Sequence, residues 1–207
     1  NTTVASNTAN IAAGAGKLKY FDVNDSGANQ TAASATAVDA MAAGIGALAS
    51  GTGAIATGHE ANATADFSIA TGASANASGV SSIATGAHST ASNIGAIATG
   101  LNANASGANS IATGSHSTAS DINSSAYGTG ATASAVNSIA LGAGATASLA
   151  NSTAIGAGAK ADNINSVALG ANSVTTENNT ISVGSVNNER KIMNVAAGTL
   201  DTDAVNL

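Results

Sequence analysis

The sequence predicts an all-β fold, a parallel β-solenoid wound from coils of 14 residues. Three observations predict it. Glycine closes a short motif at Gly44, Gly58, Gly72, Gly86, Gly100, Gly114, Gly128, Gly142, Gly156, Gly170 and Gly184, with a spacing of 14 at every step. Eleven copies in register without an insertion mean that each copy is one structural unit stacked on the next. Within each copy the residues alternate with a period of two and favour β-branched types, the pattern of short strands rather than helix. Finally, the chain has 44% apolar residues but only 2% aromatic ones, so alanine dominates its apolar content and a thick conventional core is excluded.

The first strand of a coil leads into the glycine. Three residues before it stand Met41, Ile55, Ile69, Ile83, Ile97, Ile111, Ser125, Ile139, Thr153, Val167 and Ile181; two before it stands alanine, from Ala42 to Ala168, then Ser182. Neighbours in a strand point to opposite faces. One of these columns is therefore inside and the other outside. The glycine supplies the unusual backbone of a corner.

The second strand follows, with alanine five residues after the glycine from Ala49 to Ala161 and small partners such as Ala103 or Ser117 two residues earlier. Both strands thus offer tiny side chains to the interior. The coil must be flat and thin, about 4.8 Å from the next, which makes eleven coils a rod roughly 50 Å long. The isoleucines then form an outer stripe, and a long exposed apolar stripe marks an interface. The residue just before the glycine runs Thr57, Thr71, Thr85, Thr99, Thr113, Tyr127, Leu141, Ile155, Leu169 and Val183. It reads either as a widening of the stripe towards the C-terminus or simply as good strand formers. Asparagine closes the second corner at Asn109, Asn123, Asn137, Asn151, Asn165 and Asn179, where stacked amides can form a hydrogen-bonded ladder.

Charge and composition exclude several functions. Net charge is −6, and the basic residues are Lys17, Lys19, Lys160, Arg190 and Lys191, which argues against nucleic acid as a partner. The chain has no cysteine, so no disulfide framework or cysteine-based zinc site exists. No apolar run reaches the length of a transmembrane helix. The opening NTTVASN has neither an initiator Met nor a signal-peptide pattern, so a signal peptide is expected to have been removed or to lie outside this sequence. His59, His88 and His116 are the only imidazoles; the last two share a column two coils apart, about 9.6 Å, too far for one metal. The acids Asp22, Asp25, Asp39, Glu60, Asp66 and Asp121 occupy no repeated column. No catalytic residue, metal site or cofactor is expected, and the chain reads as a non-enzyme.

The motifs NSIATGSHS (109–117), NSIALGAGA (137–145) and NSVALGANS (165–173) resemble the head repeat of YadA-type trimeric autotransporter adhesins. KYFDVND (19–25) resembles the strand that opens such heads, and ISVGSVNNERKIMNVAAGTLDTDAVNL (181–207) resembles their neck, with Met193 where threonine is usual. The resemblance implies a left-handed parallel β-roll, a homotrimer, and exposure on the outer membrane of a Gram-negative bacterium, with a stalk and membrane anchor outside this sequence. It divides the chain into an unassigned lead-in at 1–16, a head at 17–177 and a neck at 178–207.

On this reading the trimer interface holds Ile55, Ile69, Ile83, Ile97, Ile111, Ile139, Leu141, Ile155, Val167, Leu169, Ile181 and Val183. Arg190 and Lys191, with Glu189, Asp201 and Asp203, form inter-chain ion pairs in the neck or simply a solvated surface. The resemblance also implies ligand-binding repeats, carried onto Asn109, Ser110, Ser117, Asn137, Ser138, Asn165, Ser166 and Ser173. The expected function is attachment to extracellular matrix, collagen above all, or to host cells. Two other readings stand beside it. The head could be a spacer or self-association module of a longer adhesin, or the threonine ladder from Thr57 to Thr113 could bind ice.

Overall fold

The computed structural model describes residues 32–203 and the strand Tyr20–Phe21. The expected parallel β-solenoid is observed. Three-residue strands such as Ile97–Thr99 and Ile111–Thr113 stack in a sheet of twelve, and two-residue strands such as Asn104–Ala105 and Thr118–Ala119 stack in a sheet of ten. All pairings are parallel between successive coils, so Ile97 lies beside Ile83 and Ile111, and Ala105 beside Ala119. A uniform register of 14 lets identical side chains stack, and one residue of slip would turn every alanine outward.

The interior is alanine. Ala42, Ala56, Ala70, Ala84, Ala98 and Ala112 in the first sheet, and Ala49, Ala63, Ala77, Ala91 and Ala105 in the second, are fully buried. Such a core contributes little per side chain, so the continuous backbone ladder bears much of the order. Strands and corners both take part: Ile97 N–H donates to Ser110 O at 2.9 Å and Gly100 N–H to Thr85 O at 2.8 Å.

The corners show a symmetry absent from the sequence reading. The residue two after the repeat glycine and the residue seven further on are both left-handed: His88 has φ 55° and Gly95 64°, His116 58° and Asn123 57°. Each coil is therefore two quasi-equivalent halves of seven residues, strand plus left-handed corner. Asparagine tolerates this conformation better than other side chains, which explains the asparagine column as a backbone requirement. The expected ladder coexists with it. Asn123 Nδ2 donates to Asn137 Oδ1 and Asn137 to Asn151, both at 3.1 Å, and Asn165 to Asn179 at 2.9 Å.

Both ends depart from the repeat. Tyr20 pairs with Ala42 and Phe21 with Ala43, an offset of 22 rather than 14, so the opening strand joins the stack outside the 14-residue register. The rest of KYFDVND, Lys17 and Lys19, and the lead-in at 1–16 lie outside the described residues. At the C-terminus Ile181–Ser182 still pairs with Val167–Ala168. The last rung of the solenoid thus falls inside the segment read from sequence as neck. The chain then turns through Ser185 and Asn188, with Asn187 at φ 63°, and Arg190 folds back under the last coil.

Arg190 Nη1 donates to Val183 O at 2.7 Å and Ser173 Oγ at 2.8 Å, and Nη2 donates to Ala171 O. In the body of the rod Gly156 faces the Gly170 backbone; Gly170 itself faces this guanidinium. Arg190 therefore caps acceptors that have no next coil. Arg190→Ala should cost about 1.5–3 kcal/mol, the range for hydrogen bonds to a charged group. Amide exchange should quicken from Gly170 to Ser182 and stay unchanged around Gly114, and Arg190→Lys should not rescue it, because an ammonium cannot reproduce the planar fork.

Candidate functional site: outer face of the solenoid

Along the first sheet, Ile55, Ile69, Ile83, Ile97 and Ile111 are half-buried between fully buried alanines, and Ile155, Val167 and Val183 are likewise half-buried. Ile139, Leu141, Leu169 and Ile181 are exposed, with Leu141 at 46% and Leu169 at 44%. The sequence-predicted stripe is thus one continuous outer face. It keeps apolar area that a free-standing chain leaves in water. The column before the glycine shares this face, because Thr113 and Leu141 sit two residues from Ile111 and Ile139 in the same strands.

The expected ligand-binding repeats divide in two. Asn109, Asn137 and Asn165 are exposed at the second corner. Ser110, Ser117, Ser138, Ser166 and Ser173 are fully buried, which corrects their expected role as ligand contacts. Their hydroxyls close the corner instead: Ser110 Oγ donates to Gly107 O at 2.7 Å, Ser117 to Gly114 O at 2.8 Å, Ser138 to Ala135 O and Ser166 to Asn163 O at 2.6 Å, and Ser173 to Leu169 O at 2.7 Å. A serine satisfied three residues back can sit inside an alanine core without an unpaired polar atom.

The neck residues make local contacts within the chain. Glu189 Oε1 accepts from Asn187 N–H at 2.9 Å, while Lys191 and Asp201 are exposed. Among the described residues no ion pair joins Arg190 or Lys191 to Glu189, Asp201 or Asp203. Asp203 Oδ2 accepts from Thr199 N–H at 2.8 Å and Leu200 N–H at 2.9 Å. These bonds, that from Thr199 foremost, hold its carboxyl below the usual aspartate range. A lowered folded value means the turn is stabilised above the ordinary aspartate pKa and loses that contribution as pH falls through the lowered value. The Thr199 and Leu200 amide resonances should therefore move together with the Asp203 carboxyl in an acid titration, and at a pH below that of a free aspartate.

The sequence reading missed a second apolar column. Val80, Ile94, Ile122, Val136 and Ile164 stand six residues before the repeat glycine and are exposed, forming a ridge along the second corner. Their signal was present in the columns but interrupted by Asp66, Ala108 and Ala150. The three histidines lie exposed along the opposite corner. Among the described residues no three His, Asp or Glu side chains converge on a metal-sized site, and no helix is long and apolar enough to cross a membrane.

Comparison with known proteins agrees with this geometry. The model of the YadA head domain repeat (2 copies) matches residues 35–61, 49–75, 77–103, 105–131, 133–159 and 161–186. The crystal structure of the collagen-binding domain of the Yersinia adhesin YadA is similar, with 33% identity over 64% of this chain and 82% of that one and a TM-score of 0.50. None of the curated proteins matches the sequence. With repeat matches covering most of the chain and a likeness to a solved head of the same kind, the protein belongs to the YadA head-repeat family.

Proposed function

We propose that the chain is the head of a homotrimeric, surface-anchored bacterial adhesin that attaches the cell to extracellular matrix, with collagen as the ligand class to test. The observation that carries the reading is the run of head repeats over 35–186 together with the likeness to a collagen-binding domain. In this reading the first-sheet stripe is turned towards two other copies. The second sheet, with its threonines, asparagines and serines, would then remain for the ligand. Residues 17–177 form the head and 178–207 the neck that leads the three chains into a stalk, and the outer membrane holds the anchor.

Affinity would come from many weak contacts summed over coils and chains. Light scattering should give three chains per particle, and immobilised collagen should bind the particle progressively more weakly as whole coils are deleted above an intact neck. Loss of all binding through one exposed substitution would contradict the distributed site. A trimer that binds no matrix protein would favour the spacer reading. Ice binding by Thr57 to Thr113 requires those threonines to stay exposed, which the three-chain arrangement denies them.

A further inference from the structure

The two corners beside the apolar stripe are unlike each other. At the second corner, towards the C-terminal half, Ile122, Val136, Leu149 and Ile164 stand 50%, 36%, 40% and 46% exposed. At the first corner three of these four coils read Gly128-Thr129-Gly130, Gly142-Ala143-Gly144 and Gly156-Ala157-Gly158, and the fourth, Gly170-Ala171-Asn172, carries a side chain. A Cβ on Gly130 or Gly144 would meet no atom within 4 Å. These glycines are not demanded by the backbone alone, since Glu60, His88, Asn102 and His116 hold the same left-handed position in other coils. One edge of the rod is thus ridged with aliphatic side chains and the other is bare.

Area points to what covers them. The stripe is two side chains wide and ~50 Å long, ~500 Å² in all, and a closed ring of three shares it between two neighbours. That leaves ~250 Å² per contact, against about 800 Å² per partner in a stable interface. Over the four coils of the ridge, a corner strip ~10 Å wide and ~19 Å long adds ~190 Å². A cyclic assembly also joins unlike surfaces, one edge of each copy to the other edge of the next.

We propose that the occupant is a second copy of this chain: the Ile122–Val136–Leu149–Ile164 ridge of one copy packs over the bare Gly130–Ala143–Gly144–Ala157 edge of its neighbour. This rests on the three-chain reading above and assigns its contacts. The ridge seats in the gaps left by missing side chains, and uncharged first-corner triplets from Gly128 to Gly158 leave no charge to desolvate.

The chain has no native cysteine, so introduced ones report cleanly. In the full chain, Val136→Cys with Ala143→Cys, or with Thr129→Cys, should give a covalent three-chain band on mild oxidation, and no single-cysteine variant should. Maleimide should label Val136→Cys at least tenfold more slowly than Ser134→Cys on the second-sheet side. A trimer by light scattering in which Val136→Cys labels as fast as Ser134→Cys, and no pair cross-links, would overturn this assignment and leave the trimer standing. A monomer would overturn both.

Discussion

Replacing Gly114 by alanine should break the stack at that coil, whereas the same change at Gly130 should be nearly tolerated. The Gly114 backbone has φ 135°, and a Cβ there would lie 2.5 Å from Gly128 O and 2.6 Å from its carbonyl carbon. Both contacts are to backbone, and the Gly128 N–H is itself bonded to Thr113 O at 2.8 Å. Neither coil can move aside without opening the ladder. Strain and overlap together place the cost at about 4 kcal/mol or more, the range reserved for a disrupted backbone or core. At Gly130, φ is 66° and the space is open, so an alanine bears only the left-handed penalty of about 1–2 kcal/mol. Denaturant midpoints of the two variants should separate accordingly, with amide protection lost around Ile111–Tyr127 only in Gly114→Ala. If Gly130→Ala also abolishes the trimer while its chain stays folded, the bare edge is a contact.

This contrast shows what the sequence could and could not reveal. A clash repeated in every coil leaves an unbroken glycine column, and an alanine core leaves an unbroken alanine column; both are legible because each coil repeats the same steric problem. The stripe is legible for the same reason, since a period of two assigns Ile111 and Ala112 to opposite faces. The left-handed corners were harder to see, because residues as different as Glu60, Phe67, His88 and Asn109 adopt them and type alone does not announce φ. Ser110 and Ser138 misled for a local reason. Their expected contact with ligand came from the resemblance, whereas a carbonyl three residues back satisfies each hydroxyl inside. Arg190 misled through context: the carbonyls it caps are free only because the repeat ends there, and no charge pattern encodes that.

The stripe carries the second large effect. Leu141→Ser, Ile155→Ser and Leu169→Ser together should dissolve the assembly without unfolding the coil. All three side chains lie on the outer face, separated from the alanine core by the strand itself, and Leu141 and Leu169 are exposed in the single chain. Their loss therefore removes little that stabilises one chain. On assembly the remaining exposed part of each would be buried, worth about 1 kcal/mol of the 1.5–3 kcal/mol for a full aliphatic side chain. Three residues in each of three chains amount to about 9 kcal/mol, or roughly a million-fold in the association constant. Light scattering should show a single chain whose far-ultraviolet circular dichroism is unchanged at micromolar concentration. Collagen binding, if it depends on three copies acting together, should fall with the loss of the trimer rather than with the loss of any one contact. A variant that remains trimeric would place the interface on another face. The threonine ladder from Thr57 to Thr113 would then be a buried neighbour of nothing, and the ice-binding reading would again need a direct test by thermal hysteresis.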